Sequence, residues 1–299
     1  MQILVSGSTG LVGRALVSHL ERSGHEVGRL VRPETTNAPD GVPWSPTTGE
    51  LDPDDVEGFD AVVHLAGEPI DQRWTAETKE RIRDSRVEGT RLLAGTLAEL
   101  DDPPEVLVSA SAVGYYGDRG DTWLEEDSTP GDLFISDVCQ EWEEASRVAA
   151  ENGVRVVTPR TGIVLSTEGG ALPQMLPPFR FGLGGHLGSG DQYMPWVARE
   201  DVVGILEHVV ETEAVEGPVN VCAPNPVTNR TFTDALGAAL GRPTVLWVPE
   251  FGVRLMFGQM GEELLLASDR TRPAKLRESG YEWQYPELAP ALEHVLNGR

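Results

Sequence analysis

Three glycines near the start of the chain, Gly7, Gly10 and Gly13, are spaced three residues apart in SGSTGLVG. They follow a short apolar run at residues 3–5 and precede apolar residues at helical spacing. In such a strand–turn–helix unit the backbone can approach a pyrophosphate closely, and the helix N-terminus offers free N–H groups to its oxygens. We predict a dinucleotide site here, with a purely structural turn as the alternative. Its residues are Gly7, Ser8, Thr9, Gly10, Leu11, Val12 and Gly13.

The end of the second apolar segment indicates which dinucleotide is bound. An NAD site places Asp or Glu there to hold the ribose 2′-hydroxyl. This segment ends instead in Val31 and Arg32, and Arg29 lies within it. A guanidinium suits a 2′-phosphate through charge-assisted hydrogen bonds. We therefore predict that NADP is preferred over NAD, although a solvated surface arginine is a common alternative.

The elements around this turn alternate between strand and helix. Apolar strand-like runs recur at residues 27–31, 61–65, 106–108 and 154–157, and helical patterns lie between them, the longest at 75–100. This rhythm is typical of a doubly wound parallel sheet covered on both faces. We predict an α/β Rossmann-type domain over 1–165, to which 200–224 returns, and a smaller α/β substrate lobe formed by 166–199 and 225–299.

The charge of the chain is unusual. Its formal net charge is −24, and Lys79 and Lys275 are its only lysines. Nucleic acid and anionic membrane both need a basic footprint, so we expect this protein to bind neither. The acidic residues are scattered along the chain, which favours a surface adapted to high salt, a halophilic character, over an acidic face for one basic partner.

The cysteine, histidine and hydropathy patterns argue against further classes of protein. Cys139 and Cys222 are far apart in sequence, as expected for buried thiols in a reducing cytoplasm. The six histidines form no closely spaced set, so we predict no metal site. There is no secretion-signal pattern and no apolar stretch of the roughly 20 residues that cross a bilayer. We expect a cytoplasmic monomer or homodimer acting on a small molecule.

Several further motifs resemble those of one family. HLAG from His64, VEGT from Val87, SASAVGYYG from Ser109 and PRTGIVL from Pro159 follow the order of extended short-chain dehydrogenase/reductases of the NAD(P)-dependent epimerase/dehydratase type. GEPIDQRW, GSGDQYMPW and the tail ASDRTRPAKLRESGYEWQYPEL resemble an atypical branch, usually described as epimerase family protein or cell-division-inhibitor-like, whose C-terminal domain has no assigned role. The resemblance implies that Leu65, Ala66, Gly67 and Ser109 also contact the cofactor.

The resemblance also defines where catalytic residues should lie. Members of the family bind the substrate oxygen with a Ser, matched by Ser111, and transfer the proton with a Tyr that precedes a Lys by four residues. No Tyr of this chain has Lys at that offset, and Phe134 and Val138 stand at the assigned positions. The family's helix-borne Asn falls at Arg86, which could contact cofactor phosphate.

Ser111 and a nearby tyrosine are therefore the catalytic candidates. Tyr116 and its neighbour Tyr115 follow Ser111 closely and could reach the nicotinamide pocket, but aromatic residues also form pocket walls, and Ser111 could serve as a turn cap. We predict Ser111 and Tyr116 as catalytic residues of an NADP-dependent oxidoreductase or epimerase that acts on a small hydroxyl- or carbonyl-bearing metabolite. A non-catalytic NADP-binding sensor or interaction module is the alternative.

The net charge generates a prediction about salt. With 48 acidic and 24 basic residues, the folded chain repels itself in dilute buffer, and molar KCl screens that repulsion. The melting temperature should therefore rise between dilute buffer and molar KCl. A melt that is unchanged by salt would show that the acidic surface has another purpose.

Overall fold

A parallel β-sheet forms the centre of the protein. The computed structural model describes residues 1–33 and 41–298. Eight strands lie side by side in the order β14-β9-β6-β5-β1-β2-β3-β4, and β7 adds to β9; every pair is parallel except β3 with β4. The strands of this sheet are β1 (Gln2–Ser6), β2 (Glu26–Val31), β3 (Val42–Ser45), β4 (Glu50–Leu51), β5 (Ala61–His64), β6 (Val106–Ser109), β7 (Ser111–Ala112), β9 (Arg155–Thr161) and β14 (Gly217–Val221).

Four two-stranded ladders lie outside the central sheet in the described residues. Their strands are β8 (Trp123–Leu124), β10 (Ile163–Leu165), β11 (Gly185–Leu187), β12 (Tyr193–Met194), β13 (Trp196–Ala198), β15 (Val227–Thr228), β16 (Leu246–Val248) and β17 (Arg270–Thr271). β10 pairs with β13, β11 with β16 and β8 with β17 in parallel, while β12 and β15 are antiparallel. The ladder of β8 with β17 joins segments 147 residues apart, so the C-terminal part is bound to the nucleotide half by backbone hydrogen bonds.

Helices cover both faces of the sheet. They are α1 (Leu11–Arg22), α2 (Ala76–Ala98), α3 (Phe134–Ala145), α4 (Arg147–Glu151), α5 (Leu172–Arg180), α6 (Arg199–Glu211), α7 (Asn229–Leu240), α8 (Glu250–Phe257), α9 (Gln259–Gly261), α10 (Ala274–Glu278) and α11 (Leu288–Asn297). Short 3-10 turns occur at Pro53–Asp55 and Val113–Tyr116, and Glu262–Leu266 forms a π-helical turn after α9. In the described residues, no helix combines the length and the apolar character needed to cross a membrane.

The alternation of side chains along each strand separates two cores. Val5, Val63 and Val108 point to one face and pack with α1 and α6. Leu4, Val62 and Leu107 point to the other face and pack with α2 and α4. Because both faces are buried, the strands are continuous apolar runs, the pattern expected of a parallel sheet. A third core, built around Trp196, Phe232 and Leu292, lies in the C-terminal half.

Two buried carboxylates form hydrogen bonds between the C-terminal part and the nucleotide half. Asp201, at the start of α6, is fully buried and accepts hydrogen bonds from the backbone N–H groups of Gln284 (2.7 Å) and Tyr285 (3.0 Å). Glu263, in the π-helical turn, accepts from the N–H of Ile135 (3.0 Å) in the first turn of α3. A carboxylate there satisfies a backbone donor that has no partner within the helix.

The sequence prediction of a Rossmann-type α/β fold is confirmed: the central sheet is parallel and has helices on both faces. The predicted long helix at 75–100 is α2, and the predicted strands at 27–31, 61–65 and 106–108 are β2, β5 and β6. The edge strands β3 and β4 were not predicted, because their two to four residues carry too few apolar positions to show a period.

Candidate functional site

The carboxyl ends of four neighbouring strands form one edge of the sheet. Sheet order places β6, β5, β1 and β2 side by side and parallel. The predicted cofactor residues follow these strands: Gly7 to Gly13 after β1, Val31 and Arg32 at β2, Leu65 to Gly67 after β5, and Ser109 at the end of β6. Open α/β sheets bind their ligands at this edge. The fold therefore brings the sequence-predicted residues together, although they come from segments up to 100 residues apart.

The glycine turn is packed too closely to accept side chains. Gly7 has φ +66°, and a Cβ built on it would lie 2.8 Å from the carbonyl carbon of Leu65. A Cβ on Gly13 would lie 2.2 Å from the carbonyl oxygen of Gly7. α1 begins at Leu11, so its first N–H groups have no carbonyl partner inside the helix. The turn thus has the open backbone and helix terminus that fit a pyrophosphate.

A buried serine–histidine pair supports the turn. The Ser6 hydroxyl lies 2.6 Å from Nδ1 of His64, and it accepts hydrogen bonds from the N–H groups of Leu65 (3.1 Å) and Ala66 (3.3 Å). Because the hydroxyl oxygen accepts twice, its proton is donated to Nδ1 and the imidazole is neutral. Complete burial of His64 lowers its pKa to about 4. The pair fixes the backbone after β5 against the backbone after β1.

Arg32 and Arg86 occupy different environments. Arg32 is exposed just beyond β2, where a guanidinium can meet a ligand from solvent. Arg86 is half-buried on α2, donates to the carbonyl oxygens of Glu68 and Ile82 (both 3.0 Å), and its Cζ lies 5.0 Å from the ring centre of Trp142. Burial lowers the pKa of this guanidinium. A Cβ on Gly67 would be 3.3 Å from Cζ of Arg86, so Arg86 lies directly behind the strand-end loop.

Ser109 and Ser111 differ in their hydrogen bonds. The Ser109 hydroxyl is buried and has no hydrogen-bond partner among the described residues, which leaves a polar atom at the strand-end edge available to a ligand. Ser111 lies on β7, opposite Arg160 of β9, and donates to Oε1 of Glu143 on α3 at 2.6 Å. The O–H bond of Ser111 therefore points toward α3.

Glu143 belongs to a buried ion pair with Arg160. Nε and Nη2 of Arg160 each lie 2.8 Å from one carboxylate oxygen of Glu143, and the Arg160 side chain is 3% exposed. Burial alone lowers the pKa of this guanidinium, but the hydrogen bonds and charge of Glu143 raise it above its ordinary value. The face of Tyr115 lies 3.4 Å from Cζ of Arg160, a cation–π contact.

The structure argues against Tyr116 as a proton donor. Tyr116 is completely buried, its hydroxyl donates to Oδ1 of Asn220 (2.7 Å), and it accepts from Arg160 (3.0 Å). Burial is the largest of the effects that raise its pKa well above the usual value. A hydroxyl that is fully engaged inside the protein cannot exchange a proton with a substrate, so the predicted catalytic role of Tyr116 is replaced by a structural one.

The position of α3 also corrects the alignment of Phe134 with the family's Tyr. Three residues of α3 at spacings of four face the segment after β6: Ile135 contacts Gly114, Cys139 lies beside Ala112, and Glu143 binds Ser111. Phe134 is nine residues before Glu143, about 13 Å along the helix. Its ring instead packs edge-on against Trp74, and the ammonium of Lys79 lies 4.2 Å from its centre.

Cys139 and Glu143 are therefore the two ionisable side chains on this stripe of α3. Burial raises the pKa of the Cys139 thiol to about 12, so the thiol stays protonated. Sequence reasoning missed Cys139, Glu143 and the Ser6–His64 pair. HLAG, which contains His64, carried a sequence signal, whereas Cys139 and Glu143 acquire their neighbours only through the packing of α3.

The fold and the strand-end site define a dinucleotide-binding protein of the Rossmann class. Residues 3–222 match the family model described as NAD dependent epimerase/dehydratase family, and residues 248–295 match a domain of unknown function, DUF1731. The chain belongs to this epimerase/dehydratase family, as its motifs had indicated.

Named relatives cover the whole chain. The epimerase family protein Mb2239 of Mycobacterium bovis is 42% identical over 294 residues, which is 98% of this chain and 97% of the relative. A crystal structure of the human epimerase family protein SDR39U1 (isoform 2) with NADPH has a TM-score of 0.90 and 36% identity, and each chain is covered completely. A nucleoside-diphosphate sugar epimerase from Corynebacterium glutamicum has a TM-score of 0.83 and 38% identity, over 99% of this chain and 58% of that one.

The burial of His64 generates a pH prediction. The unfolded chain binds a proton at this imidazole below pH 6.5, whereas the folded chain does not until about pH 4. Stability should therefore fall as the pH drops from 6.5 to 4, by about 3 kcal/mol from this group. His64→Asn retains an acceptor for Ser6 without the titrating ring, so it should lose less stability over that range. The measurement is chemical unfolding at several pH values in molar KCl.

The control is His186→Asn, which removes an imidazole of β11, a strand outside the central sheet, and should leave the stability loss attributed to His64 in place. Parallel curves for the native protein and His64→Asn would contradict a neutral, buried His64.

Proposed function

We propose that this protein is an NADP-dependent oxidoreductase or epimerase-like enzyme that acts on a small metabolite with a hydroxyl or carbonyl group. The observation that carries the proposal is the glycine turn, where Cβ atoms on Gly7 and Gly13 would collide with backbone at the ligand-binding edge of the sheet. The NADPH in the structure of human SDR39U1 supports the choice of cofactor.

Different residues at the strand ends bind different parts of the cofactor. The N-terminus of α1 holds the pyrophosphate, and Arg32, in the absence of an acid at the end of β2, binds the 2′-phosphate of NADP. Leu65, Ala66, Gly67 and Ser109 form the wall behind it, and Arg86 supports that wall from α2. When bound, the cofactor would supply or accept a hydride.

The substrate side of the proposal rests on Ser111. Its hydroxyl lies just beyond β6, where the family binds the substrate oxygen, and Glu143 is its hydrogen-bond partner. The carboxylate of Glu143 is fixed by Arg160, so it holds the Ser111 hydroxyl in one orientation. The chain lacks a Tyr followed by Lys at four residues, so Ser111, positioned by Glu143, is the candidate for proton handling in place of the usual pair. The name of the Corynebacterium relative supports nucleoside-diphosphate sugars as one substrate class to test.

One observation favours the second candidate, a non-catalytic NADP-binding sensor or interaction module. The stripe of α3 that faces the segment after β6 carries Ile135 and a protonated Cys139, and neither matches the phenol and ammonium of the family. Under this alternative the cofactor edge is retained and turnover is absent.

Cofactor preference is tested by calorimetry with NADPH and NADH. The native protein should bind NADPH more tightly, because only NADPH carries the phosphate that Arg32 meets. Arg32→Glu should remove the preference by weakening NADPH binding at least tenfold, the loss of one charge-assisted contact of about 1.5 kcal/mol or more. Arg242→Glu, in the C-terminal part, makes the same charge change away from the turn and should keep the preference. Equal affinities in the native protein would refute the NADP assignment.

Turnover is tested by NADPH oxidation with a panel of aldehydes, ketones and nucleoside-diphosphate sugars. With any active substrate, Ser111→Ala should lower kcat by about two orders of magnitude, the usual contribution of a positioned proton-transfer group. NADPH affinity should be unchanged in this variant, because the phosphates are bound at the other end of the site. Tyr116→Phe is the control: it should lower stability and leave kcat near the native value.

The outcomes separate the two candidates. Native turnover by Ser111→Ala would show that the proton-handling assignment is wrong. NADPH binding with no turnover of any panel substrate would favour the sensor or interaction module.

A further inference from the structure

Two histidines that are distant from the strand-end edge meet two carboxylates where α1 packs on α6. His19 lies in the last turn of α1 and His25 just before β2, while Glu207 and Glu211 are one turn apart on α6. The sequence had predicted no metal site, because the six histidines form no closely spaced set along the chain. The packing of α1 on α6 brings together residues almost 190 apart.

His25 is the unusual member of the group. Its side chain is only 10% exposed, and its Nδ1 has no hydrogen-bond partner among the described residues. Its Nε2 points at two carboxylates, 3.7 Å from Oε1 of Glu207 and 3.6 Å from Oε1 of Glu211. Both distances exceed a hydrogen bond. A buried imidazole is thus directed at two carboxylate oxygens without bonding to either.

These separations suit a shared ion. Zn²⁺ binds imidazole nitrogen and carboxylate oxygen at about 2.0–2.2 Å, and two ligands of a tetrahedral ion are then about 3.4 Å apart. The ligand atoms of His25, Glu207 and Glu211 all lie within 4.8 Å of one another. Small side-chain rotations would complete the geometry, and water would fill the remaining position.

His19 and Ser23 hold Glu207 in place. Nε2 of His19 lies 2.7 Å from Oε2 of Glu207, the oxygen that does not face His25. Ser23 also forms a hydrogen bond with this carboxylate. Hydrogen bonds of this kind to ligating carboxylates orient metal ligands in proteins.

We propose that His25, Glu207 and Glu211 bind one divalent transition-metal ion of the zinc type, with His19 as the residue that positions Glu207. Imidazole together with carboxylate favours such an ion over Mg²⁺ and Ca²⁺, which prefer oxygen ligands alone. The ion joins α6 to the segment between α1 and β2, directly after the helix whose N-terminus forms the dinucleotide turn. The site is independent of the proposed enzymatic activity.

The test is calorimetric titration of tag-free, chelator-treated protein with ZnCl₂ in molar KCl, where diffuse attraction of cations to the acidic surface is screened. One Zn²⁺ should bind per chain, and the melting temperature should rise with Zn²⁺ because the ion binds the folded state. Mg²⁺ under the same conditions should give no comparable heat or stabilisation.

Variants separate coordination from a simple ion pair. Glu211→Gln and His25→Gln remove ligands and should each weaken Zn²⁺ binding at least tenfold, and His19→Gln should weaken it by about 10- to 100-fold by releasing Glu207. Glu213→Gln, two residues beyond Glu211, makes the same charge change outside the group and should bind as the native protein does. Co²⁺ should give the visible absorption of a low-coordinate site in the native protein and lose it in His25→Gln.

No stoichiometric binding by the native protein, or equal affinity in Glu211→Gln, His25→Gln and the native protein, would overturn the proposal. A stability loss in His19→Gln with unchanged Zn²⁺ affinity would show that His19 has only a structural role.

Discussion

The ion pair between Arg160 and Glu143 joins α3 to β9 and, through Ser111, to the segment that follows β6. A guanidinium that is 3% exposed needs partners for its N–H groups, and each of its three nitrogens has one: Glu143 binds Nε and Nη2, and Nη1 donates to Tyr116 and to the carbonyl of Glu126. Removing either member of such a pair leaves an uncompensated buried charge, at a cost of about 3–5 kcal/mol. The conformations of Ser111 and Tyr116 both depend on this pair.

The cofactor half of the site was predictable from sequence because its determinants are local. The glycine turn, the strand before it and the helix after it lie within the first 22 residues, and the absence of an acid at Arg32 is visible in the sequence itself. The strand pattern then places HLAG and Ser109 at the same edge, since parallel strands end together. These arguments need only the period of apolar residues and the geometry of a parallel sheet.

The part of the site around Ser111 was not predictable from sequence, because it is set by the packing of α3. A shift of one residue along a helix rotates the facing side chain by about 100°, and nothing in FISDVCQEWEEAS distinguishes a stripe through Phe134 from one through Ile135. The choice is made by Gly114, whose missing side chain admits Ile135, and by Glu263, which binds the N–H of Ile135 from 128 residues away. Burial of Tyr116 likewise depends on Asn220, a residue of the far edge strand β14.

Asp201 has a consequence for the order in which the molecule can be made. Its buried carboxylate, inside the nucleotide half, is satisfied by the N–H groups of Gln284 and Tyr285, more than 80 residues later in the chain. On a ribosome, α6 is synthesised well before Gln284 and Tyr285. A nascent chain that ends between α6 and these residues has the carboxylate of Asp201 without its two backbone donors, and burying that carboxylate unpaired is costly. Domains usually fold one after another as they emerge. Here the carboxylate of Asp201 has its backbone partners only once residues 284 and 285 are present, so we expect the Rossmann half and the C-terminal part to complete their folding together.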